Sequence, residues 1–591
     1  MTKDNNIEKQ RHSLSHIMAI AVKKLWPEVK FAIGPAIDNG FYYDFDFGKN
    51  SVGEEDLKKI EKEMKHIVSQ NLEFTRTEMG IDEALKKEQA NGQPYKVELI
   101  EDLKTGGETK VSYYHSGGFE DLCAGPHLES AKSIAKGSFK LTKLAGAYWR
   151  GDEKNKMLTR IYGVAFETKK ELDDYLAMLV EAEKRDHRKL GKELGLFVFS
   201  DVVGKGLPLW TKKGSIVRMT LERFIVEEET KRGYEHVYTP DIAKIDLYKK
   251  SGHYPYYKDS MYPPLKIDNE EFMLRPMTCP HHFELYLSKP RSYKELPMRI
   301  AELAKLYRYE QSGELTGLIR IRSFCLADAH IICADKESAG DEIDKALELI
   351  EYLAKIFGLK MGDDYWYRLS LGNRKDEKKY FKDDKAWDDA ESILRKVLTK
   401  RKADFVEAED EAAFYGPKID VQMKNFRGKE DTAFTVQYDF VMSGRFNLVY
   451  TDKNGKEKLT VVVHRSSIGA VERTIAFLIE RYAGAFPVWL SPVQVKLIAV
   501  GENHVKFCEE LADEFRSSDI RVEVDNSNET VGNKIRKAVK EKDPYMLVIG
   551  DKEMGSDNLM VRDRGRVEVR EIAKDDFIKE IKEKVKTHVI D

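Results

Sequence analysis

The fold of the chain is decided by residues 298–332, which read MRIAELAKLYRYEQSGELTGLIRIRSFCLADAHII. Because alternate residues of a β-strand share a face, the first half of this stretch places Arg308 and Glu310 on one side. A glycine-containing loop over 311–319 leads to a second strand, one face of which is small and apolar. The other face carries Arg320, Arg322, Phe324, Leu326, Asp328 and His330. The pattern predicts an antiparallel hairpin with a chemically rich polar surface.

These side chains suit a ligand that is phosphorylated, planar and polar. The guanidinium fork of arginine matches phosphate oxygens, a glutamate accepts from an exocyclic amine, and a phenylalanine ring stacks on a flat base. Together they favour ATP, bound without a phosphate loop, since the sequence contains no GxxxxGK[ST] motif. The alternative from the pattern alone is a strand pair that exposes its charges to solvent.

The composition of the chain limits which classes of protein it can belong to. The 591 residues are enough for several domains, and a net charge of −3 does not by itself indicate a nucleic-acid partner. Five cysteines without a regular pairing pattern favour a reducing compartment. The N-terminal sequence lacks the apolar core of a signal peptide, and no apolar run is long enough to span a bilayer. We therefore expect a cytoplasmic protein with no membrane partner.

Two pairs of metal-binding residue types occur in the N-terminal third. His12 and His16 lie four residues apart on a predicted amphipathic helix and so share a face. Cys123 and His127 lie on a loop, because Gly125 and Pro126 break any helix there. The four have the chemistry of a metal site. Taken singly, each pair is also an ordinary feature of a helix or a loop.

Longer motifs identify a family. They are IGPAIDNGFYYDFD at 33–46, SGHYPYYKDSMY at 251–262, RPMTCPHH at 275–282, FYGPKIDV at 414–421 and VVVHRSSIGAVER at 461–473. With residues 298–332, they resemble class II aminoacyl-tRNA synthetases, and specifically the threonyl-tRNA synthetase family. The resemblance implies a multidomain α+β protein. It implies an N-terminal α+β editing domain at 1–166, a linker helix at 167–193, a class II catalytic domain on an antiparallel sheet at 194–490, and a C-terminal α/β anticodon-binding domain at 491–591.

The activity implied by this resemblance is that of a threonine–tRNA ligase. Such an enzyme activates L-threonine with ATP, transfers it to the 3′ end of tRNA(Thr), and hydrolyses mischarged seryl-tRNA(Thr). Pro240 matches the proline of the family's first motif, which forms the dimer interface, so a homodimer through the catalytic domain is expected. Only eleven residues precede His12, so we do not expect the ubiquitin-like domain that precedes this helix in many bacterial relatives.

The resemblance also assigns the ATP contacts. Arg308 would hold the α-phosphate, Glu310 the adenine amine, and Phe324 would stack on adenine. Arg320 and Arg473 would clamp the phosphate tail together with Mg²⁺.

Other family positions fall on residues of the amino-acid pocket. Asp328, Tyr415 and Gln437 would bind threonine. Lys418 matches a further pocket position with a catalytic role, and His253 matches a histidine that acts in transfer to tRNA.

Cys279, His330 and His464 match the family's three zinc ligands, although their spacing alone fits no local zinc module. One zinc ion per subunit is implied, with an open coordination position for the amino group and hydroxyl of threonine. Valine lacks the hydroxyl and would be rejected. Serine lacks only a methyl group, a difference worth roughly 1–3 kcal/mol, so a second, hydrolytic site is needed.

That second site is expected in the N-terminal third. The family's editing residues match His12, His16, Asp121, Cys123 and His127. The resemblance implies that this set works without a metal ion.

RNA contacts are expected in two places. In the last hundred residues the anticodon candidates are Asn528, Glu529 and Arg536, with Arg562, Arg564 and Arg566, and the alternative for any one of them is a solvated basic face. In the linker, the basic run Arg185, His187, Arg188 and Lys189 offers a tRNA contact or simply a charged helix.

Some positions depart from the family pattern. Leu326 stands where a pocket glutamine is usual, and His281 stands beside the zinc cysteine as a rival ligand. The stretch EDTAFTVQ at 430–437 also lacks the usual residues. The alternatives are a prolyl or seryl synthetase, which lacks the zinc set and this editing domain, and a synthetase-derived RNA-binding regulator, which would not need an ATP clamp.

Overall fold

The computed structural model describes residues 4–590, and the chain divides between Val180 and Glu181 into two compact units. Within the described residues, no helix combines the length and the apolar character needed to cross a membrane.

The first unit is built on two sheets. Its elements are α1 (Asp4–Leu25), β1 (Lys30–Phe31), β2 (Ala36–Ile37), β3 (Gly40–Asp46), α2 (Glu54–Ser69), β4 (Thr75–Gly80), α3 (Ile81–Ala90), α4 (Pro94–Thr105), β5 (Lys110–Ser116), β6 (Phe119–Leu122), β7 (Phe139–Tyr148) and β8 (Met157–Ala165). One sheet has the order β1–β3–β8–β7 with β2 added to β3, and the other has the order β4–β5–β6.

Helix α1 forms as predicted and includes both His12 and His16. Its apolar face carries Leu14, Ile17 and Met18, all fully buried, and each such side chain contributes about 1.5–3 kcal/mol of burial free energy. The packing of this face fixes the rotation of α1, and with it the direction of His12 and His16.

The predicted linker helix forms two helices. Helix α5 (Lys169–Arg185) is followed by α6 (His187–Glu193). Asp186 separates them because its carboxylate caps the second helix, with Oδ1 accepting a hydrogen bond from the backbone N–H of Arg188 at 2.9 Å.

The second unit contains a large mixed sheet. Its elements before the C-terminal region are β9 (Phe197–Val198), β10 (Leu209–Trp210), α7 (Lys212–Lys231), β11 (Glu235–His236), β12 (Ile242–Lys244), α8 (Ile245–Ser251), α9 (His253–Tyr256), β13 (Leu265–Ile267), β14 (Glu270–Leu274), α10 (Cys279–Leu287), β15 (Met298–Tyr307), β16 (Ser323–Cys333), α11 (Lys336–Ile356), β17 (Tyr365–Ser370), α12 (Asp384–Lys400), β18 (Phe405–Ala408), β19 (Lys418–Lys424), β20 (Glu430–Asp439), α13 (Met442–Phe446), β21 (Val449–Thr451), β22 (Glu457–Leu459), β23 (Val461–Ala470) and α14 (Val471–Arg481).

The sheet order is β11–β15–β16–β23–β20–β19–β17–β18. The inner pairs are antiparallel, and the two edge pairs, β11 with β15 and β17 with β18, are parallel. On β16, Ala327, Ala329 and Ile331 face the main hydrophobic core together with residues of α11 and α14. The opposite face of β16 is therefore left for the polar side chains.

The C-terminal region is a three-layered α/β body. Its elements are β24 (Val495–Ala499), α15 (Glu502–Ser517), β25 (Val522–Asp525), α16 (Val531–Glu541), β26 (Tyr545–Ile549), α17 (Asp551–Met554), β27 (Asn558–Asp563), β28 (Arg570–Ala573) and α18 (Lys574–Thr587). Strands β25, β24 and β26 are parallel, as predicted from the alternation of strands and helices. The antiparallel strands β27 and β28, which extend this sheet, were not expected from the sequence.

Candidate active site and editing site

The hairpin of residues 298–332 forms, but its strands are shorter than the alternation predicts. Tyr307 pairs with Ser323 at the last position of the ladder. Arg308, Glu310 and Arg320 therefore lie in the connecting loop rather than on the strands. Phe324, Leu326, Asp328 and His330 share one face of β16, as predicted, and that face lines a cleft.

The cleft has a volume of about 270 Å³ and is bounded by β16, β20, β23 and the start of α14. Twelve residues named from the sequence line it: Cys279, Arg308, Glu310, Arg320, Phe324, Leu326, Asp328, His330, Tyr415, Gln437, His464 and Arg473. Thr432, Thr435 and Ser466 also line it and were not predicted.

Two arginines in the cleft have no ion-pair partner among the described residues. The guanidinium carbon of Arg308 lies 5.2 Å from the ring centroid of Phe324, and its Nη2 donates to Sδ of Met277 at 3.5 Å. Arg473 donates to two backbone carbonyls, those of Ile319 at 3.3 Å and Thr432 at 3.4 Å. Burial lowers the pKa of both guanidinium groups. No carboxylate among the described residues lies within salt-bridge distance of either, so the cleft is prepared for an anion.

Arg320 is held differently. Its Nε lies 2.7 Å from Oε2 of Glu310, and its Nη2 lies 3.0 Å from Oε2 of Glu314. Arg322, which the alternation placed on the same face, is outside the cleft and donates to the backbone oxygens of Glu310 and Lys205. Arg322 therefore holds the loop in place and does not line the cleft.

Three metal-binding side chains meet at the inner end of the cleft. Cys279 begins α10, and His330 on β16 is directly opposite His464 on β23 in the strand register. Their sulfur and nitrogen atoms all lie within 4.8 Å of one another, and all three residues are buried. One sulfur and two imidazole nitrogens suit zinc and leave a coordination position open.

The proton positions of this cluster are set by carboxylates behind it. Glu302 accepts from Nε2 of His282 at 3.3 Å, so His282 carries its proton on Nε2. The Nδ1 atom of His282 then accepts from Nδ1 of His330 at 2.8 Å, which leaves the lone pair of Nε2 of His330 for the cluster. On the other side, Asp439 accepts from Nε2 of His464 at 2.6 Å. Neither carboxylate was predicted from the sequence.

Glu302 is an anchored carboxylate. Burial alone would raise its pKa, but hydrogen bonds from His282 and Thr239 and the charge of Arg275 lower the pKa to about 2. Arg275, only 2% exposed, donates to Oε1 of Glu302 at 3.0 Å. Glu302 is thus ionised whenever the protein is folded near neutral pH.

The expected amino-acid pocket lies beside the cluster. The hydroxyl of Tyr415 donates to Oε1 of Gln437, and the ring of Tyr415 stacks on His464 with centroids 4.8 Å apart. Oδ2 of Asp328 lies 4.0 Å from Nε2 of His330, and burial raises the pKa of Asp328. Leu326 lines the same wall and gives it an apolar patch where the family pattern has an amide.

Three further residues lie behind the cleft, outside the set of described residues that line it. Nε2 of His253 is 3.8 Å from Sγ of Cys279, and burial lowers the pKa of this imidazole to about 3. Lys418 pairs with Asp420 at 2.9 Å. His281 is buried, neither of its ring nitrogens has a hydrogen-bond partner in the described part of the chain, and it is not a member of the three-donor cluster. Helix α10 instead directs the next residue, His282, to the cluster.

The predicted editing residues also come together, within the first unit. Sγ of Cys123 lies 3.3 Å from Nε2 of His12 and 3.3 Å from Nε2 of His127. The donor atoms of these three residues and of His16 all lie within 4.8 Å of one another. Nδ1 of His12 donates to the carbonyl of Pro126 at 3.2 Å, so the other nitrogen of this ring keeps its lone pair toward the thiol.

Asp121 lies behind this set in a buried network. Its carboxylate accepts from the hydroxyl of Tyr43 at 2.5 Å and from Nζ of Lys96 at 2.5 Å, and it lies 3.7 Å from Nε2 of His16. Tyr43 and Lys96 were not predicted. Only the position of Tyr43 within the motif at 33–46 indicated that it belongs near a site.

The cluster of His12, His16, Cys123 and His127 is electrically neutral at pH 7. Burial lowers the pKa of His12 and His16, and burial with the two neighbouring imidazoles lowers the pKa of His127 to about 2. Burial also raises the pKa of the Cys123 thiol to about 11. Neutral imidazoles can accept a proton from a water molecule, and this is the chemistry that hydrolysis requires.

The predicted anticodon residues differ in their exposure. Asn528 and Arg536 are exposed near the start of α16, and Glu529 bonds to Lys537. Arg564 donates to the backbone carbonyls of Phe486 and Lys542, so it ties the C-terminal body to the preceding segment.

Three family models match the chain. A tRNA synthetase class II core domain (G, H, P, S and T) matches residues 263–482, and an anticodon binding domain matches residues 494–584. The second additional domain of threonyl and alanyl tRNA synthetases matches residues 111–162.

Relatives match over nearly the whole chain. The threonine–tRNA ligase of Geobacillus sp. (strain WCH70) is 48% identical over 577 residues, which cover 98% of this chain and 88% of the relative. The threonine–tRNA ligase of Halalkalibacterium halodurans is 47% identical over 586 residues, which cover 99% of this chain and 90% of the relative. Among solved structures, the RNA binding domain of threonyl-tRNA synthetase from Cryptosporidium parvum Iowa II is similar with a TM-score of 0.64 and 33% identity, over 67% of this chain and 98% of that chain.

Proposed function

Because the chain belongs to the threonine–tRNA ligase family, with a class II synthetase core and an editing domain, we propose that the cleft on β16 joins L-threonine to ATP and then to tRNA(Thr). The observation that carries this proposal is the pairing, in one cleft, of two guanidinium groups that have no carboxylate partner among the described residues with a buried Cys–His–His cluster.

The arginines bind and orient ATP. Arg308 holds the α-phosphate at which the threonine carboxylate attacks, and Phe324 stacks on the adenine. Arg320 exchanges its bond with Glu310 for the phosphate tail, which it clamps with Arg473 and Mg²⁺. Glu310 is then able to accept from the adenine amine. Catalysis in such a site consists mainly of positioning and of charge stabilisation.

Cys279, His330 and His464 would hold a zinc ion, whose open position would take the amino group and hydroxyl of threonine. Asp328 accepts from the same hydroxyl, while Tyr415 and Gln437 close the pocket. Lys418 supports this wall, and His253 acts in transfer to tRNA.

Serine retains the hydroxyl, so this pocket accepts it with only modest loss. We propose that His12, His16, Cys123 and His127, supported by Asp121, hydrolyse seryl-tRNA(Thr) without a metal ion. The neutral imidazoles accept a proton from the attacking water, and the thiol limits the space beside it.

The first experiment is ATP–pyrophosphate exchange on the zinc-loaded protein with threonine, serine and valine. We expect strong exchange with threonine, weaker exchange with serine and none with valine. Exchange with valine equal to that with serine would contradict the hydroxyl-dependent pocket. Silence with all three would favour the alternative of a non-catalytic RNA-binding regulator.

We further propose a homodimer through the catalytic domain and domain boundaries at 1–166, 167–193, 194–490 and 491–591. Val202 and Tyr238, the second of which lies two residues before Pro240, are 98% and 96% exposed, and a second subunit would cover such apolar surface. Sedimentation of the Tyr238→Asp variant is expected to show a monomer where the unaltered chain shows a dimer.

Asn528, Glu529 and Arg536 would contact the anticodon. Filter binding of tRNA to the Arg536→Ala variant tests this contact.

A further inference from the structure

His187, the first residue of α6, is buried within the second unit rather than presented to RNA. It is only 1% exposed, although its neighbours in the basic run are exposed or half-buried. Its Nδ1 donates to Oε1 of Glu480 at 2.7 Å, and its Nε2 accepts from the backbone N–H of Leu318 at 3.1 Å. Both ring nitrogens of a neutral imidazole are thus used.

The two partners of His187 belong to the two elements that present the phosphate-binding arginines. Glu480 lies two turns after Arg473 on the same helix, α14. Leu318 lies two residues before Arg320 in the loop between β15 and β16. The next residue of that loop, Ile319, accepts a hydrogen bond from Nε of Arg473 at 3.3 Å. His187 therefore bridges α14 and the loop at the place where Arg473 already touches it.

Gly317 allows this close approach. Its φ is +49°, and a Cβ atom added there would lie 2.1 Å from Nε2 of His187. A side chain at this position would have to displace the imidazole or the loop.

A metal ion is a poor explanation for this group. The donor atoms of Asp186, His187 and Glu480 lie within 4.8 Å of one another. However, the carboxylate of Asp186 is already bound to the guanidinium of Arg188 at 2.6 Å and to that of Arg427 at 3.2 Å. Both nitrogens of His187 are also occupied, so the imidazole has no lone pair left for a cation, and the group forms a structural link.

We propose that His187 is a positioning residue for ATP, which fixes the distance between Arg320 and Arg473 by holding the loop and α14 together. This inference rests on the proposed contact of those arginines with the phosphates. His187 does not touch a substrate, and its effect is expected in the binding of ATP and not in that of threonine.

Two isosteric variants separate its two bonds. In His187→Asn, the amide nitrogen occupies the place of Nδ1 and can keep the bond to Glu480, while the acceptor for Leu318 is lost. In His187→Gln, the amide oxygen reaches the place of Nε2 and can keep the bond to Leu318, while the backbone N–H of residue 187, which donates to Oε1 of Glu480 at 3.2 Å, keeps the link to α14. Steady-state exchange assays on the full chain are expected to show a rise of about three- to tenfold in the KM for ATP with Asn, and near-normal values with Gln. The KM for threonine should stay within about twofold in both.

Gly317→Ala provides a second variant that leaves His187 unaltered and is expected to raise the KM for ATP in the same way. The inference is overturned if Asn and Gln behave alike, or if the KM values for ATP and threonine rise together. Arg320→Ala separates this from failure of the proposed function. If Arg320→Ala raises the KM for ATP and His187→Asn does not, only the inference fails. If Arg320→Ala leaves that KM unchanged, the phosphate contact fails, and the inference fails with it.

Discussion

Replacing Glu302 by glutamine is expected to weaken zinc binding through a chain of proton shifts. Arg275 needs an acceptor, so the amide oxygen of the glutamine would turn toward it, and the amide nitrogen would then face Nε2 of His282. His282 would have to move its proton to Nδ1, and His330 would have to move its own to Nε2. Nε2 of His330 would then carry a proton and offer no lone pair to the cluster, unless the hydrogen bond of His282 to residue 302 or to His330 were broken.

The magnitude follows from the bonds that must change. If His282 and His330 return to their original tautomers in the Glu302→Gln variant, the N–H of His282 faces the amide N–H of the glutamine. Two buried donors that face each other without an acceptor cost about 1–3 kcal/mol. That range corresponds to a roughly 5- to 150-fold weaker zinc affinity. Losses of about 10- to 100-fold are typical when groups behind a metal ligand are changed.

The assay is competition between the metal-free full chain and a chromogenic chelator. Asp241→Asn is the matched control, because Asp241 also pairs with Arg275, at 3.1 Å, but is half exposed and does not contact His282. The control should bind zinc normally. An affinity of the Glu302→Gln variant within about twofold of the unaltered chain would refute the tautomer reasoning.

Other consequences can be measured separately. Phe324→Ala should raise the KM for ATP about 5- to 150-fold, since stacking on a base is worth about 1–3 kcal/mol; a change only in the KM for threonine would contradict that contact. His127→Ala should abolish hydrolysis of seryl-tRNA(Thr), by about 100-fold or more, and leave threonine-dependent exchange intact; loss of both would indicate damage beyond the editing unit. The pKa of His127, about 2 when folded and near 6.5 when unfolded, means that protons favour the unfolded state below pH 6.5. The first unit should therefore lose about 2 kcal/mol between pH 6.5 and pH 5 on account of this residue, and thermal unfolding of His127→Gln should show a smaller loss.

Local periodicity was sufficient for part of the cleft. Phe324, Asp328 and His330 share a face because a strand alternates, and that rule holds wherever β16 is regular. It failed at Arg308 and Arg320, where the loop begins earlier than the alternation suggests. The side-chain pattern does not show where two strands stop pairing, because pairing ends where the backbone N–H and C=O groups form hydrogen bonds with other partners.

Long-range pairing explains the rest. The sequence indicates Cys279, His330 and His464 only through the family resemblance, since their contact depends on the register between β16 and β23. Glu302 and Asp439 carry no local sign of their role at all. In the linker, the break at Asp186 is a capping event that an otherwise helical, charged segment hides.

The strand register has a consequence for how the protein is made. Cys279 and His330 supply two donors, and the third, His464, lies on a strand that is synthesised much later and inserts between β16 and β20. A nascent chain that ends before His464 contains Cys279 and His330 but lacks the third donor of the site. Binding of the proposed zinc ion would therefore wait until β23 has left the ribosome and entered the sheet, so that metal uptake would report the completion of the catalytic fold rather than its beginning.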